Sequence, residues 1–293
     1  MKRAMIIMNP SSGKEEAEKN LPHVAETLQK QGFDLEIYLT EKECDALQFA
    51  RLACKHSFDA VISMGGDGTL NEIINGLAEQ EHRPSLGIIP LGTVNDFARA
   101  LHIPLDSSKA VEVLKKEKLR TVDICKVNNK YFLNVLAVGE IAEASFSVSA
   151  QQKTLLGPLA YFMEGIKSLT SKQAFHVRLQ HDKGAWEGEV LLILAALTNS
   201  VGGFEKIAPD AKVDDGLLKC MMIKDVSYLQ FIKLVKALLK GEHINDPAVE
   251  YISTSALQIF SSHHLKANID GDEGDRLPLN LKVLPGHLNI YVL

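Results

Sequence analysis

Short, almost wholly apolar runs alternate with stretches of helical spacing through the first 120 residues, and three of the runs end in turns built from small residues. Arg3–Met8, Asp34–Leu39, Ala60–Met64 and Ser85–Pro90 read as strands. Between the first two, Leu21, Val24, Ala25 and Leu28 recur at helical spacing and Gly32 follows as a stop. A second helix is expected over Asp45–His56, and a third from Thr69 to near Gly76. Strands this apolar need cover on both faces, so the alternation predicts a mostly parallel sheet between layers of helix. In such sheets ligands bind beyond the carboxyl ends of the strands, which places function in the turns.

Near Thr121 the pattern changes. Val122–Val127, an Asn128-Asn129 turn and Tyr131–Val138 predict a hairpin. Trp186–Leu197, Leu217–Ile223 and Ser255–Phe260 continue the strands, and Leu279–Leu284 and Leu288–Val292 close the chain. Helices are expected at Leu155–Leu169 and Ser227–Lys240. The expectation is an α/β domain over residues 1–122 and a β-rich domain, a sandwich or curled sheet, over 123–293. The last strands could return to the first domain. No repeat or low-complexity linker marks the boundary.

A chain of 293 residues can bury two modest cores or one large one. Its net charge of −5 and pI of about 6.1 argue against a nucleic-acid partner, which would leave a basic footprint. They leave a phosphorylated ligand open, because glycine-rich backbone and a metal ion can supply a local positive field. Cys44, Cys54, Cys125 and Cys220 form no C-x-x-C pair, so zinc is not expected and all four read as small buried hydrophobes in a reducing cytoplasm. The apolar run Ala4–Met8 behind Lys2-Arg3 is too short for a signal peptide, and no run reaches membrane-span length. Any membrane contact is therefore expected to be peripheral, at the inner surface.

The turns carry the chemistry. Asn9-Pro10-Ser11-Ser12-Gly13, Gly65-Gly66-Asp67-Gly68-Thr69-Leu70-Asn71 and Pro90-Leu91-Gly92-Thr93-Val94-Asn95-Asp96 share one design, an apolar strand followed by small residues with a polar group. Parallel strands would line the three turns along one edge. Glycine lets backbone N–H groups approach a phosphate chain, and a helix starting at the turn adds its positive end. The Asp67 carboxylate can hold Mg²⁺ or a metal-bound water, and Thr69 and Thr93 can donate to phosphate oxygens. The competing reading of any one loop is a tight turn whose Asp, Asn or Thr caps a helix; three at one sheet edge weaken it. Neither a Walker loop nor a dinucleotide fingerprint is present.

These residues resemble a known family. Gly65 to Glu72, together with Pro90-Leu91-Gly92-Thr93-Val94-Asn95-Asp96-Phe97-Ala98-Arg99, is similar to the diacylglycerol kinase catalytic-domain family in its short soluble bacterial form, and Asn9-Pro10 with Gly13 fits as well. The glycine-aspartate turn is shared with NAD kinases and phosphofructokinases; the second motif is more specific to lipid kinases. The resemblance implies a three-layer α/β nucleotide-binding domain and a β-sandwich domain with the active site in the cleft between. It implies ATP and Mg²⁺ as cofactors and Asn9–Gly13, Thr40, Gly65–Asn71 and Thr93 around the ATP. Asp67, Asp96 and Asp123 would form an acidic cluster serving Mg²⁺-ATP.

Two acidic stretches in the second domain enter the same way. Pro209 to Leu217 resembles the family's structural Mg²⁺ loop, with the Asp215 carboxylate and the Lys212 and Leu217 carbonyls as ligands; unaided, Asp215-Gly216 reads as a turn before a strand. Asn268 to Asp275 corresponds to a stretch where the family shows Asp-Gly-Glu, its glutamate proposed as the base that takes the acceptor hydroxyl's proton. Here Asp272 stands at the glutamate position and Glu273 follows, so two candidates for that base remain.

Little in the residues themselves marks a lipid acceptor. Leu229, Ile232, Val235, Leu238 and Leu239 share one face of an expected helix, and Lys233, Lys236 and Lys240 share another. That helix suits an anionic membrane, or simply packing on a sheet with its lysines in water. Leu155, Leu159, Phe162, Ile166 and Leu169 suit an acyl pocket or plain core. The lipid substrate thus rests on the resemblance. An NAD kinase-like enzyme and a nucleotide-binding regulator without catalysis are the alternatives, and a homodimer across an exposed sheet edge is open to the chain.

Overall fold

The structure is a computed structural model describing residues 1–13, 16–139, 174–201, 203 and 206–293. The expected helix Leu155–Leu169, with its apolar face, lies outside the described residues. The chain divides into two compact units, Met1–Ile124 with Pro285–Leu293, and Cys125–Leu284.

In the first unit four strands, β1 (Lys2–Met8), β2 (Phe33–Leu39), β3 (Ala60–Gly65) and β4 (Ser85–Pro90), run parallel in the spatial order β4-β3-β1-β2. The end of the chain's last strand, β15 (Leu279–Tyr291), joins them parallel to β4 through Ile290 and Leu86. Five helices intervene: α1 (Glu16–Lys30), α2 (Asp45–Lys55), α3 (Asp67–Leu77), α4 (Asp96–Ala100) and α5 (Ser107–Lys115). The step from β1 to β2 runs opposite to the steps toward β3 and β4, so right-handed crossovers send α1 to one face and α2 and α3 to the other. The helices pair accordingly, α1 with α5 and α2 with α3. A Cβ on Gly76 would stand 2.5 Å from the Leu47 carbonyl oxygen, which is why α3 carries glycine where it crosses α2.

Burial follows the layers. Ala4, Met5, Ile6 and Ile7 of β1 and Ala60, Val61 and Ile62 of β3 are wholly buried, as strands covered on both faces must be. The outer strand β2 is half solvated, with Ile37 and Leu39 exposed. Two short helices, α4 and α5, were not expected. Asp106 caps α5 by accepting the Lys109 N–H at 2.9 Å. The expectation for the cysteines is corrected at one position: Cys54, Cys125 and Cys220 are buried, but Cys44 is exposed. It holds a left-handed conformation ahead of α2, where Glu72 of α3 accepts its N–H and that of Ala46.

Among the described residues the strand pairs within the second unit run antiparallel. The unit receives the end of β5 (Leu119–Val127) and contains β6 (Lys130–Phe132), β7 (Val135–Val138), β8 (Phe175–His181), β9 (Gly184–Ala196), β10 (Leu218–Lys224), β11 (Val249–Thr254), β12 (Ala256–Phe260), β13 (Lys266–Ile269), β14 (Asp272–Arg276) and the first part of β15. The order is β14-β13-β7-β9-β8-β12-β15, with β10 between β9 and β11 and β5 beside β6. The architecture is a β-sandwich. One core gathers Phe132, Leu136, Val177, Leu179, Ile193, Cys220, Leu257 and Leu281. A second packs the helix α6 (Tyr228–Lys240), through Phe231, Leu234 and Leu238, on Leu192, Met221 and Ile223. Ser227 and Gln230 form a capping box at the start of α6 and Gly241 ends it left-handed.

Two expectations change here. The run Tyr131–Val138 is broken after Phe132, because the Leu133, Asn134 and Val135 N–H groups donate to the Asp270 carboxylate instead of a neighbouring strand. The two closing strands are one continuous strand, β15, whose last residues belong with the first unit.

Candidate active site

The strand order places a topological switch between β1 and β3, since the chain leaves β1 in one direction and returns on its other side. That is where an open parallel sheet binds ligands. Asn9 leaves β1 there, donating its N–H to the Met64 carbonyl of β3 at 3.0 Å. Its side chain folds back to accept from Ser11 N and Ser11 Oγ, and Ser12 N closes the turn on the Asn9 carbonyl. The Asn9 amide also donates to Thr69 Oγ1 at 3.4 Å, joining the first and second loops. Gly13, at φ +66°, completes the turn; a Cβ there would meet the Leu91 carbonyl oxygen of the third loop at 3.2 Å. Thr40 follows β2, its N–H on the Met8 carbonyl at 2.9 Å.

The second and third loops are locked together. Asp67 is the first residue of α3, and its half-buried carboxylate accepts the N–H groups of Asn95 and Asp96 at 2.8 and 2.9 Å. Asn95, buried and left-handed at the head of α4, closes its own loop, accepting from Gly92 N at 2.9 Å and donating to the Gly92 carbonyl at 2.8 Å. Gly66 and Gly92 meet backbone to backbone: a Cβ on Gly92 would lie 2.7 Å from Gly66 Cα. Gly65 lies under the Thr69 side chain, which is itself buried. A small crevice bounded by Gly65, Gly66, Asp67, Leu70, Pro90 and Asn95 opens beside this contact.

Burial pushes the Asp67 carboxyl above the ordinary carboxylate range, the backbone N–H groups pull it back, and the neighbouring Asp96 charge raises it again. A carboxylate kept in an environment that disfavours its charge marks a functional position more often than a structural one. Gly68, one residue on, is exposed, and a Cβ there would touch nothing in the protein. Its small size leaves an open cradle over the first turn of α3, and a helix N-terminus is a setting that suits a phosphate group. The residues therefore suit a phosphate-bearing ligand, and the neighbouring Asp67 and Asp96 carboxylates are of the type that suits a hard divalent cation. Thr93 is exposed in the third loop, and Asn71, on α3, accepts from the Asn75 amide.

The third expected carboxylate is Asp123. It is buried in β5 and accepts the Gly286 N–H of β15 at 2.7 Å. Among the described residues no three Asp, Glu, His or Cys side chains come together as a metal-holding group.

The second unit carries the other candidates. Asp270 and Gly271 form the two-residue tip between β13 and β14, both at positive φ, and Ile269 pairs with Asp272 below them. Asp272 and Glu273 are exposed neighbours on one strand, so they face opposite sides of it. Glu273 is ion-paired with Lys266 across the hairpin. Asp270, three of whose contacts are the N–H groups at Leu133–Val135, anchors the tip and was not among the expected residues.

The expected metal loop has a different geometry. Asp215 Oδ1 accepts the Leu217 N–H at 3.0 Å, and Oδ2 meets the Lys219 ammonium at 3.1 Å. Lys219 is buried, donates to Ser253 Oγ at 3.0 Å, and stands 3.9 Å from Asp210 Oδ2. Asp210 in turn accepts the Tyr251 hydroxyl, whose proton is held more tightly than usual by burial and by that carboxylate. A divalent cation at Asp215 would face an ammonium already seated there, so Lys212, Asp215 and Leu217 do not fit the metal expected of them.

Residues 3–127 match the family model of the diacylglycerol kinase catalytic domain, and residues 135–292 match that of the YegS C-terminal NAD kinase beta sandwich-like domain. A diacylglycerol kinase of Staphylococcus saprophyticus subsp. saprophyticus is 41% identical over 290 residues, covering 99% of this chain and 95% of the relative. One of Staphylococcus haemolyticus is 42% identical over 289 residues, covering 99% and 88%. The crystal structure of a diacylglycerol kinase from Bacillus anthracis str. Sterne superposes with a TM-score of 0.85 at 29% identity, covering 100% of this chain and 97% of that one. Locked loops at the switch point of an α/β sheet, a β-sandwich in the second unit and full-length relatives agree: the chain belongs to the diacylglycerol kinase family and is a kinase that phosphorylates a hydroxyl group.

Proposed function

We propose that this chain transfers the γ-phosphate of Mg²⁺-ATP to the free hydroxyl of diacylglycerol, giving phosphatidic acid and ADP. The observation that carries the nucleotide half is the Asp67 bridge to Asn95 and Asp96, which fixes two glycine turns edge to edge beneath an open cradle at Gly68. The lipid half rests on the named relatives.

Asn9 and Thr69 hold the first two loops at a fixed spacing, and the N–H groups at the start of α3 offer donors to the phosphate oxygens. Pro10, Ser11, Ser12, Gly13, Thr40 and Thr93 complete the proposed nucleotide contacts. Asp67 and Asp96 would hold Mg²⁺, which would supply charge neutralisation on the phosphates. Asp272 is assigned as the base, because it stands at the position of the family's glutamate, on the opposite face of the strand from Glu273 and its Lys266 partner. In the transfer the acceptor oxygen bonds to the γ-phosphorus as the bond to the bridging oxygen breaks. ADP leaves and the hydroxyl proton passes to the Asp272 carboxylate.

No described helix is long and apolar enough to cross a membrane. We assign α6 as the face that meets the lipid surface, with the exposed Leu229, Lys233, Lys236 and Lys240 recurring along one side of the helix. Incubation with labelled ATP, Mg²⁺ and a panel of diacylglycerol, phosphatidylglycerol, sphingoid base, polyprenol and NAD tests the assignment. Label in phosphatidic acid is expected; label in another lipid replaces the acceptor, label in NADP replaces the enzyme class, and binding without transfer removes catalysis.

A further inference from the structure

We propose that in this chain the Lys219 ammonium takes the place of a divalent cation at the Asp210–Leu217 loop, so that the loop keeps its order without metal. Lys219 lies on β10, paired across to Ala196 of β9 on one side and Ser253 of β11 on the other, and it is 5% exposed. A lysine so enclosed cannot carry its charge out to water and needs acceptors inside. It has three donors and three oxygens within reach: Asp215 Oδ2 at 3.1 Å, Ser253 Oγ at 3.0 Å and Asp210 Oδ2 at 3.9 Å. The carboxylates are answered in turn. Asp215 takes the Leu217 N–H with its other oxygen, and Asp210 takes the Tyr251 hydroxyl.

The arrangement meets the two demands that a bound cation would otherwise meet. It sets a positive charge between two carboxylates, and it ties the loop before β10 to β11. The tether is covalent, so its occupancy does not depend on free metal. A divalent ion could bind Asp215 only by displacing the ammonium from a buried position or by lying against it, and like charges at that spacing repel strongly away from water. The metal requirement of the protein then reduces to the metal that arrives with the nucleotide.

Thermal unfolding of the nucleotide-free protein tests this without reference to catalysis. Wild type in excess EDTA and in millimolar Mg²⁺ should unfold at the same midpoint. Lys219→Thr should unfold several degrees lower in EDTA and recover in Mg²⁺, because two carboxylates have lost their internal cation; adding Asp215→Asn should cancel the recovery. A Mg²⁺-dependent rise in the wild-type midpoint that Asp215→Asn removes would overturn the proposal. If Lys219→Thr does not fold, the comparison of wild type with Asp215→Asn still decides, since the proposal requires neither to respond to Mg²⁺.

Discussion

The Asp67 carboxylate reaches out of its own glycine turn to bond the backbone N–H of Asn95, 28 residues further on, at 2.8 Å. With the parallel bond to Asp96 N, one side chain sets the distance between the two glycine loops. Burial nonetheless holds its pKa above the ordinary carboxylate value, so at neutral pH the charged form is less favoured in the folded protein than in the unfolded chain. Asp67 therefore contributes positioning rather than stability. Asp67→Asn is expected to lower the rate of lipid phosphorylation by at least about a hundredfold while leaving the unfolding midpoint near neutral pH almost unchanged. Parallel assays and melts check this; a large fall in the midpoint with activity retained would reverse the assignment.

Two glycines separate packing from ligand binding. Gly92→Ala puts a Cβ 2.7 Å from both Gly66 Cα and Asn95 Oδ1, and backbone on one side cannot yield cheaply. Destabilisation of about 1–3 kcal/mol is expected, with activity lost as the loops part. Gly68→Ala meets no protein atom, so its melt should match wild type. Its KM for ATP should nevertheless rise, about tenfold or more, if a phosphate oxygen occupies the cradle. Equal KM values for wild type and Gly68→Ala would move the nucleotide elsewhere.

Strand alternation sorts the two acidic candidates of the β13–β14 hairpin. Glu273 is committed to Lys266, and Asp272 lies on the other face of the strand. Asp272→Asn is expected to cost about 10²–10⁴ in kcat, the usual worth of a general base. Glu273→Gln and Lys266→Ala should each stay within a few-fold of wild type. The opposite ranking in a lipid kinase assay would make Glu273 the base.

Much of the first unit was legible because its signals are local. Contiguous apolar strands announced a parallel sheet, and the small-residue turns announced the loops at its carboxyl edge. What stayed hidden depends on partners far away in sequence. Asp270 looks like an ordinary hairpin residue until Leu133–Val135 is seen donating to it from 135 residues away. Lys219 reads as one polar residue in an apolar strand until Asp210, Asp215 and Ser253 gather round it. Asn95 was within reach, since it sits inside the quoted motif, but its left-handed turn and double bond to Gly92 are backbone facts that residue types do not reveal. Glu72, also inside a motif, caps α2.

A buried histidine gives the second unit a pH dependence. His243 is fully enclosed; Nε2 meets the Ile207 carbonyl at 2.8 Å and Nδ1 has no hydrogen-bond partner among the described residues. Burial depresses its pKa below the ordinary 6.5. The unfolded chain therefore takes up a proton near pH 6.5 that the folded protein refuses, so the contribution is full above that pH and is lost as pH falls below it. Urea midpoints should drop between pH 7.5 and 5.5, and His243→Gln should flatten that slope. An unchanged slope in the variant would assign the dependence to other groups.

The lipid surface leaves a test in α6. Its residues include three lysines and no acid, and Lys233, Lys236 and Lys240 are all exposed with Leu229 at the same face. The rest of the chain is net acidic, so this stripe opposes the overall charge of −5 rather than following it. Each lysine near an anionic bilayer is worth about 1 kcal/mol, so reversing none but neutralising all three removes about 3 kcal/mol, roughly a hundredfold in partitioning. The triple variant Lys233→Gln, Lys236→Gln, Lys240→Gln should bind phosphatidylglycerol-containing vesicles that much more weakly and lose activity on diacylglycerol presented in them. Its activity on a short-chain diacylglycerol dissolved in water should be that of wild type, because nothing at Asp67, Gly68 or Asp272 has changed. Equal losses on both substrates would mean the lysines act on the fold, and equal retention on both would free α6 from any role at the membrane.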